Sequence, residues 1–299
     1  MFQEYTEKIK SFDGNQLFFR LYTPAIKNQL EIKPDGVVLA VHGFGEHSGR
    51  YSHLAEIVCS KNLAFAIFDI RGHGRSGPLR GDAENLHAFI LDIIFMCDHV
   101  KKIFNINANN KKFFGLLGHS FGSLLVTYAL AHMNYSSLNV FLSSPCYSVK
   151  QKIPKWKKLI ANNLSKYLPN LFVPTGISPN SLSNNPKNNQ AAQSDKEILK
   201  FISARMGYIF LSAVDESKII NAIQMIKNPI KIVAASDDKL VDVEKTKKYV
   251  SYFNNNGTSL KVIQGAGHEI FNEILEYQKV ALHEFVMWLE SKNDNFGVE

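Results

Sequence analysis

Apolar and polar positions along this chain alternate in two periods. Short apolar runs at 37–41, 64–68 and 113–117, and runs at 138–142, 230–235 and 260–263 that each contain one polar residue (Asn139, Lys231 and Lys261), have the length and bounds of sheet strands, the first of them of a strand buried on both faces. Between them lie stretches with helical spacing, at about 51–60, 84–104, 124–130, 243–253 and from the 270s to Glu290. Strand followed by helix, repeated, is the pattern of a parallel sheet, so an α/β class is expected. Ahead of it, 7–23 reads as a hairpin turning at Asp13-Gly14 and ended by Pro24. The alternation breaks from about Tyr147 to Asp215, where prolines and asparagines are dense and no strand is expected. The expected organisation is one core built from 1–146 and 218–299, with 147–217 inserted as a helical cap.

The cap holds Trp156, Leu159, Ile160, Leu164 and Tyr167 at helical spacing, surrounded by Lys152, Lys155, Lys157, Lys158 and Lys166. Two accounts of this basic amphipathic helix stand open: an apolar face packed on the core with lysines in solvent, or contact with an anionic or lipid surface. Charge sharpens the question. The chain carries a formal net charge of +7, yet residues 99–194 contain eleven lysines, no arginine and no acid, which leaves about −4 for the remainder. One segment is basic rather than the whole protein, and its lysines are not interleaved with stacking aromatics, so no nucleic-acid partner is expected. Cys59, Cys97 and Cys146 are too few and too scattered for a disulfide framework or a zinc site and read as buried thiols. The first residues lack a basic and an apolar segment, and no apolar run approaches the ~18 residues that span a bilayer, so a soluble, cytoplasmic protein is expected.

Chemistry enters at Gly118-His119-Ser120-Phe121-Gly122, between the apolar run 113–117 and the helical run 124–130. Gly-x-Ser-x-Gly alone is a modest signal. Set between strand and helix it describes a turn tight enough to lift a serine hydroxyl above the sheet, with glycines two residues away on either side where a Cβ would collide. Such a serine needs a base, an acid to orient the base, and backbone donors for an oxyanion. The loop His42-Gly43-Phe44-Gly45 lacks any phosphate-binding spacing and suits the donors. Of ten histidines, His87, His99, His132 and His283 fall inside helices and His119 is expected to turn away from Ser120. His268, in a glycine-flanked loop after the last strand, is left as the base. For the acid, Asp237 and Asp238 both sit at a strand end, while Asp215 falls at the cap boundary. Loops that follow parallel strands converge at one edge of the sheet, which brings these residues to one crevice.

The runs His42–Tyr51 (His-Gly-Phe-Gly-Glu-His-Ser-Gly-Arg-Tyr), Asp69–Ser76 (Asp-Ile-Arg-Gly-His-Gly-Arg-Ser) and the Ser120 turn resemble the monoacylglycerol lipases and related lysophospholipases of the α/β-hydrolase superfamily. The resemblance covers nearly the whole chain outside the cap. It implies Asp238 as the acid, in Ala235–Val241 where Ala235 replaces a family glycine, with Asp237 as runner-up. It also implies oxyanion donors at the backbone N–H groups of Phe44 and Phe121, and head-group positions at Glu46 and Arg50. The implied reaction is hydrolysis of a small lipid ester through an acyl-enzyme, with no metal or cofactor. A short-chain carboxylesterase and a non-catalytic binding protein of the same fold are the alternatives.

Overall fold

The computed structural model describes residues 2–25, 33–77, 79–107, 110, 112–135, 138–151 and 154–291. The tail from Lys292, Lys152, the side chain of Lys155 and part of the polar loop at 105–110 lie outside the described residues. The chain begins with β1 (Phe2–Lys10) and β2 (Gln16–Pro24), a hairpin that starts five residues earlier than its apolar pattern suggests. There follow β3 (Gly36–Val41), α1 (Ser52–Ser60), β4 (Ala64–Phe68), α2 (Leu86–Ile103), β5 (Phe113–His119), α3 (Phe121–Leu130) and β6 (Leu138–Ser143). Next come α4 (Lys155–Tyr167), β7 (Phe172–Pro174), α5 (Pro186–Ser194), β8 (Phe201–Ser203), α6 (Ala204–Ala213) and α7 (Glu216–Met225). The chain then re-enters the sheet with β9 (Ile230–Ala235), α8 (Val243–Val250), β10 (Ser259–Ile263) and α9 (Leu275–Glu290).

The main sheet has eight strands in the order β1-β2-β4-β3-β5-β6-β9-β10, parallel from β4 to β10, with the β1–β2 hairpin antiparallel at one edge. β3, β4 and β5 are buried throughout, as their unbroken apolar runs require of strands covered on both faces. One apolar cluster gathers residues of α2, α3, α6 and α7 on one face. A second, including Phe141, Phe285 and Trp288, lies with α1 and α9 on the other. Side chains fix helix starts: Asn85 accepts from Ala88 N–H to open α2, and Asp242 caps α8. Asp215 is the corresponding cap of α7, which accounts for an acid at the end of the insertion.

The stretch 147–217 departs from the expected pattern in one respect. β7 and β8 pair antiparallel, with Phe172 opposite Ser203 and Pro174 opposite Phe201. Three residues per strand are too few to set up an alternation that sequence periodicity could register. All three cysteines are buried free thiols.

The loop after β4 acts as a brace. Asp69 accepts from Ser48 N–H at 2.7 Å and from Arg75 N–H at 2.8 Å, and Ile70 N–H donates to His42 Nε2 at 3.0 Å. Arg71 is fully buried; it pairs with Asp92 of α2 at 2.7 Å and reaches Glu84 and Asp13 at 2.6 and 3.0 Å. A charge buried that deeply requires such partners. The consequence is that the loop after β3, which carries Phe44, is held from behind.

At the turn after β5, Ser120 has φ 53° and ψ −118°, in the left-handed half of backbone space that a side chain rarely occupies. A Cβ on Gly122 would lie 2.2 Å from Val41 O, and one on Gly118 2.7 Å from Ser123 Cα. Both contacts are with backbone, which cannot yield. Gly122→Ala should therefore cost about 3 kcal/mol or more of stability. A urea midpoint within error of the wild type would refute this account of the turn.

Candidate active site

Three loops at the carboxyl ends of β5, β9 and β10 bring Ser120, Asp238 and His268 together. Ser120 Oγ donates to His268 Nε2 at 2.8 Å, and His268 Nδ1 donates to Asp238 Oδ2 at 2.6 Å. Because Nε2 accepts, the proton of a neutral imidazole sits on Nδ1, the tautomer that leaves Nε2 free to take another. Asp238 Oδ1 accepts from the N–H groups of Leu240 and Val241 at 2.7 and 2.8 Å. Asp237 is exposed and bonded to Ser236 Oγ, so of the two neighbouring acids only Asp238 meets the imidazole. Ser120 occupies the N-cap position of α3 without a side-chain cap bond, so it stands at the positive end of that helix, whose first residue is Phe121.

Burial works against both charges of this pair, and their mutual attraction outweighs it. Burial alone would raise the Asp238 carboxyl, but His268 and the two backbone donors hold it below its ordinary value. Burial alone would lower the His268 imidazole, but Asp238, with Glu269 and Glu46 farther off, raises it above its ordinary 6.5. The His268 backbone is fixed as well, since Ser144 Oγ donates to its carbonyl at 2.7 Å. Ser144, with φ 43°, is a second strained non-glycine residue at the same edge.

Phe44 and Phe121, whose N–H groups are the expected oxyanion donors, follow β3 and open α3. Their rings meet edge-on with centroids 5.5 Å apart, and the ring centroid of Phe210 in α6 lies 4.8 Å from that of Phe44. Glu46 and Arg50 both line the cavity, but much of their bonding capacity is committed. Glu46 Oε1 accepts from Gly43 N–H at 2.6 Å and from Tyr51 OH at 2.8 Å, and Oε2 accepts from Arg50 Nη1 at 3.2 Å. Arg50 donates Nη1 and Nη2 to the two oxygens of Glu269 at 2.6 and 2.8 Å.

Glu269, His119 and Ser144 were not singled out as site residues by the sequence. Glu269 directly follows His268, and that adjacency is its only signal. The expectation that His119 turns away is corrected: it lines the same cavity, with its ring 5.1 Å from that of His268 and Nδ1 3.0 Å from Ser143 Oγ. As the last residue of β5, paired with Ser143, it ends where the sheet opens into the crevice. Burial pushes its imidazole down to about 4, so it is neutral near pH 7.

The cavity above Ser120 holds about 440 Å³. Glu46, Arg50, His119, Glu269, Gln151, Thr175 and Lys239 are among its polar lining residues. Phe44, Leu164, Val173, Ile202, Phe210 and Val241 are among its apolar lining residues, four of them from α4, β7, β8 and α6. A family model described as serine aminopeptidase, S33, matches residues 32–274. The chain belongs to that family. Its fold is that of the α/β-hydrolases, of the monoacylglycerol lipase-like kind. Monoglyceride lipase of Homo sapiens is 28% identical over 287 residues, covering 95% of this chain and 90% of that protein. Phospholipase YtpA of Bacillus subtilis is 28% identical over 242 residues, covering 81% of this chain and 90% of that protein. The crystal structure of Paleococcus ferrophilus monoacylglycerol lipase superimposes with a TM-score of 0.77 at 25% identity, covering 97% of this chain and all of that one.

Glu46 gives the cavity lining a pH signature. Burial would raise the Glu46 carboxyl, yet His119, Arg50 and the Gly43 N–H bring it from 4.5 down to about 2. A carboxyl depressed by folding stabilises the fold fully above its unfolded value, and that contribution fades as pH falls through the folded one. Glu46→Gln should therefore lower the urea midpoint at pH 7, and the gap to wild type should close between about pH 4.5 and 2. A gap that stays constant across that range would overturn the assignment.

Proposed function

We propose that this carboxylic ester hydrolase cleaves monoacylglycerol or lysophospholipid-type esters through an acyl-enzyme on Ser120. The observation that carries the reading is the continuous hydrogen-bonded line Ser120–His268–Asp238 beside a cavity that is apolar along most of its lining. Ser120 Oγ attacks the ester carbonyl as His268 Nε2 takes its proton, and Asp238 stabilises the imidazolium. The developing oxyanion lies against the N–H groups of Phe44 and Phe121. His268 returns the proton to the departing alcohol, and water then releases the acid by the same route in reverse. The apolar lining suits an acyl chain, and the part near Glu46 and Arg50 suits a hydroxyl-bearing head group. The names of the human and Bacillus relatives, a monoglyceride lipase and a phospholipase, support a lipid ester.

Residues 147–217 act in this reading as a cap over the core formed by 1–146 and 218–299. The helix α4 turns Ala161 and Leu164 to the cavity, while Trp156 is 59% exposed, Leu159 61%, Ile160 49% and Tyr167 70%. That exposure favours the second of the two accounts of this helix, because a stripe packed on the core would not show it. Leu168, Leu171, Phe172 and Phe201 extend the exposed apolar surface. With Lys157, Lys158 and Lys166 beside it, the surface suits an anionic lipid interface from which substrate is drawn. No helix among the described residues is long and apolar enough to cross a membrane.

Ser120→Ala should lose about 10⁴-fold or more in ester hydrolysis, and with it labelling by a fluorophosphonate, while the fold survives. Asp238→Asn should be nearly as damaging and Asp237→Asn mild. Near-native turnover in Ser120→Ala would end this reading. Rates against a monoacylglycerol and a short acyl ester separate a lipid esterase from a general short-chain one.

Co-sedimentation tests the cap surface. Vesicles containing anionic lipid should recover the protein at low salt, with weaker recovery at high salt and none on neutral vesicles. Replacing Lys157, Lys158 and Lys166 by Gln should reduce that recovery yet leave hydrolysis of a soluble ester unchanged. Equal recovery of the variant would return the lysines to solvent.

A further inference from the structure

Glu269 is 4% exposed, and its carboxylate is surrounded by donors. Oε1 accepts from Arg50 Nη1 at 2.6 Å. Oε2 accepts from Arg50 Nη2 at 2.8 Å, Asn188 Nδ2 at 2.8 Å and Asn272 Nδ2 at 3.2 Å. Arg50 continues to Glu46, and Glu46 to the N–H of Gly43, the residue before Phe44. One polar path therefore joins the loop that carries His268 to the loop that carries Phe44. It runs outside the Ser120–His268–Asp238 line and contains both Glu46 and Arg50.

We propose that Glu269 is a positioning residue for ester hydrolysis: its charge stabilises the imidazolium of His268, and its bonds to Arg50 hold the loop that presents the Phe44 N–H. The proposal rests on the reading of Ser120, His268 and Asp238 given above.

The charges that face His268 come from four loops. Asp238 is in direct contact from the loop after β9. His119 and Ser120 lie at the end of β5, and His119 is neutral there. Glu46 and Arg50 approach from the loop after β3, and Glu269 from the His268 loop itself. Arg50 is the cation of this group, and Glu269 is the partner that engages it through two parallel bonds. Without the Glu269 charge, the imidazole loses a neighbouring anion and faces a guanidinium balanced by Glu46 alone. Both changes disfavour its protonated form. Because only neutral His268 can accept the Ser120 proton, the rate falls as pH drops through the His268 pKa. Loss of the Glu269 charge must move that acid limb to lower pH.

The experiment compares wild type, Glu269→Gln and Glu269→Asp. It follows the rate of fluorophosphonate labelling, and of soluble-ester hydrolysis, from about pH 5 to 9. Rates are expressed per site titrated by the probe, so an unfolded fraction does not count. Glu269→Gln should shift the acid limb downward by on the order of one pH unit. Its plateau rate should fall about ten- to a hundredfold as the Phe44 loop loosens. Glu269→Asp keeps the charge but cannot make the same bonds, so its plateau should fall while its acid limb stays near that of the wild type. An acid limb in Glu269→Gln that coincides with wild type overturns the proposal. So does one in Glu269→Asp displaced as far as expected for Gln, an outcome readable even if the Gln variant does not fold. Wild type that neither labels nor hydrolyses ester would instead sink the ester-hydrolase reading, and this proposal with it.

Discussion

The backbone of Ser120 is held at φ 53°, and most of the active-site architecture follows from how that conformation is tolerated. A non-glycine residue there costs on the order of 1–3 kcal/mol and persists only when its surroundings over-determine it. They do so from three sides. β5 delivers the turn at the middle of the sheet, Gly122 lets α3 start against the carbonyls of Val41 and His42, and Ser120 N–H is tied to Ser143 O at 2.9 Å. The same close approach that admits no Cβ at Gly122 brings the start of α3 against the end of β3. The N–H groups after Ser120 and those of the Phe44 loop thereby become neighbours. Strain at one residue and proximity of two loops are the same geometric fact.

A second constraint is electrostatic. The crevice buries Glu46, Asp238, Glu269, Arg50 and His268 within one connected region, and each is costly to bury alone. What makes the set tolerable is that its members satisfy one another: Asp238 with His268 and two backbone donors, Glu269 with Arg50 and two asparagines, Glu46 with Arg50, Tyr51 and Gly43. The loops of the site are therefore coupled through charge as much as through packing.

The core strands were legible because burial on both faces leaves an unbroken apolar run, and the Ser120 turn because steric exclusion confines it to a few residue types. His268 could be reached by position and Asp238 by resemblance, since strand ends in a parallel sheet point to one edge. Other features carry no local mark. β7 and β8 are three residues each and find one another across some thirty residues, so no periodicity records them. Glu269 looks like any acid beside a histidine until Arg50, more than two hundred positions away, is placed against it. The exposure of Trp156 and Leu159 depends on where α6 sits, and a helical spacing cannot distinguish an apolar face that packs from one that does not.

The loop bearing His268 is fastened to the segment around 182–184. Glu269 N–H donates to Leu182 O at 2.8 Å, while Glu273 Oε1 accepts from the N–H groups of both Gly267 and Asn184 at 2.7 Å. Displacing the segment around 182–184 would therefore pull on the imidazole, which makes that segment part of the frame of the site.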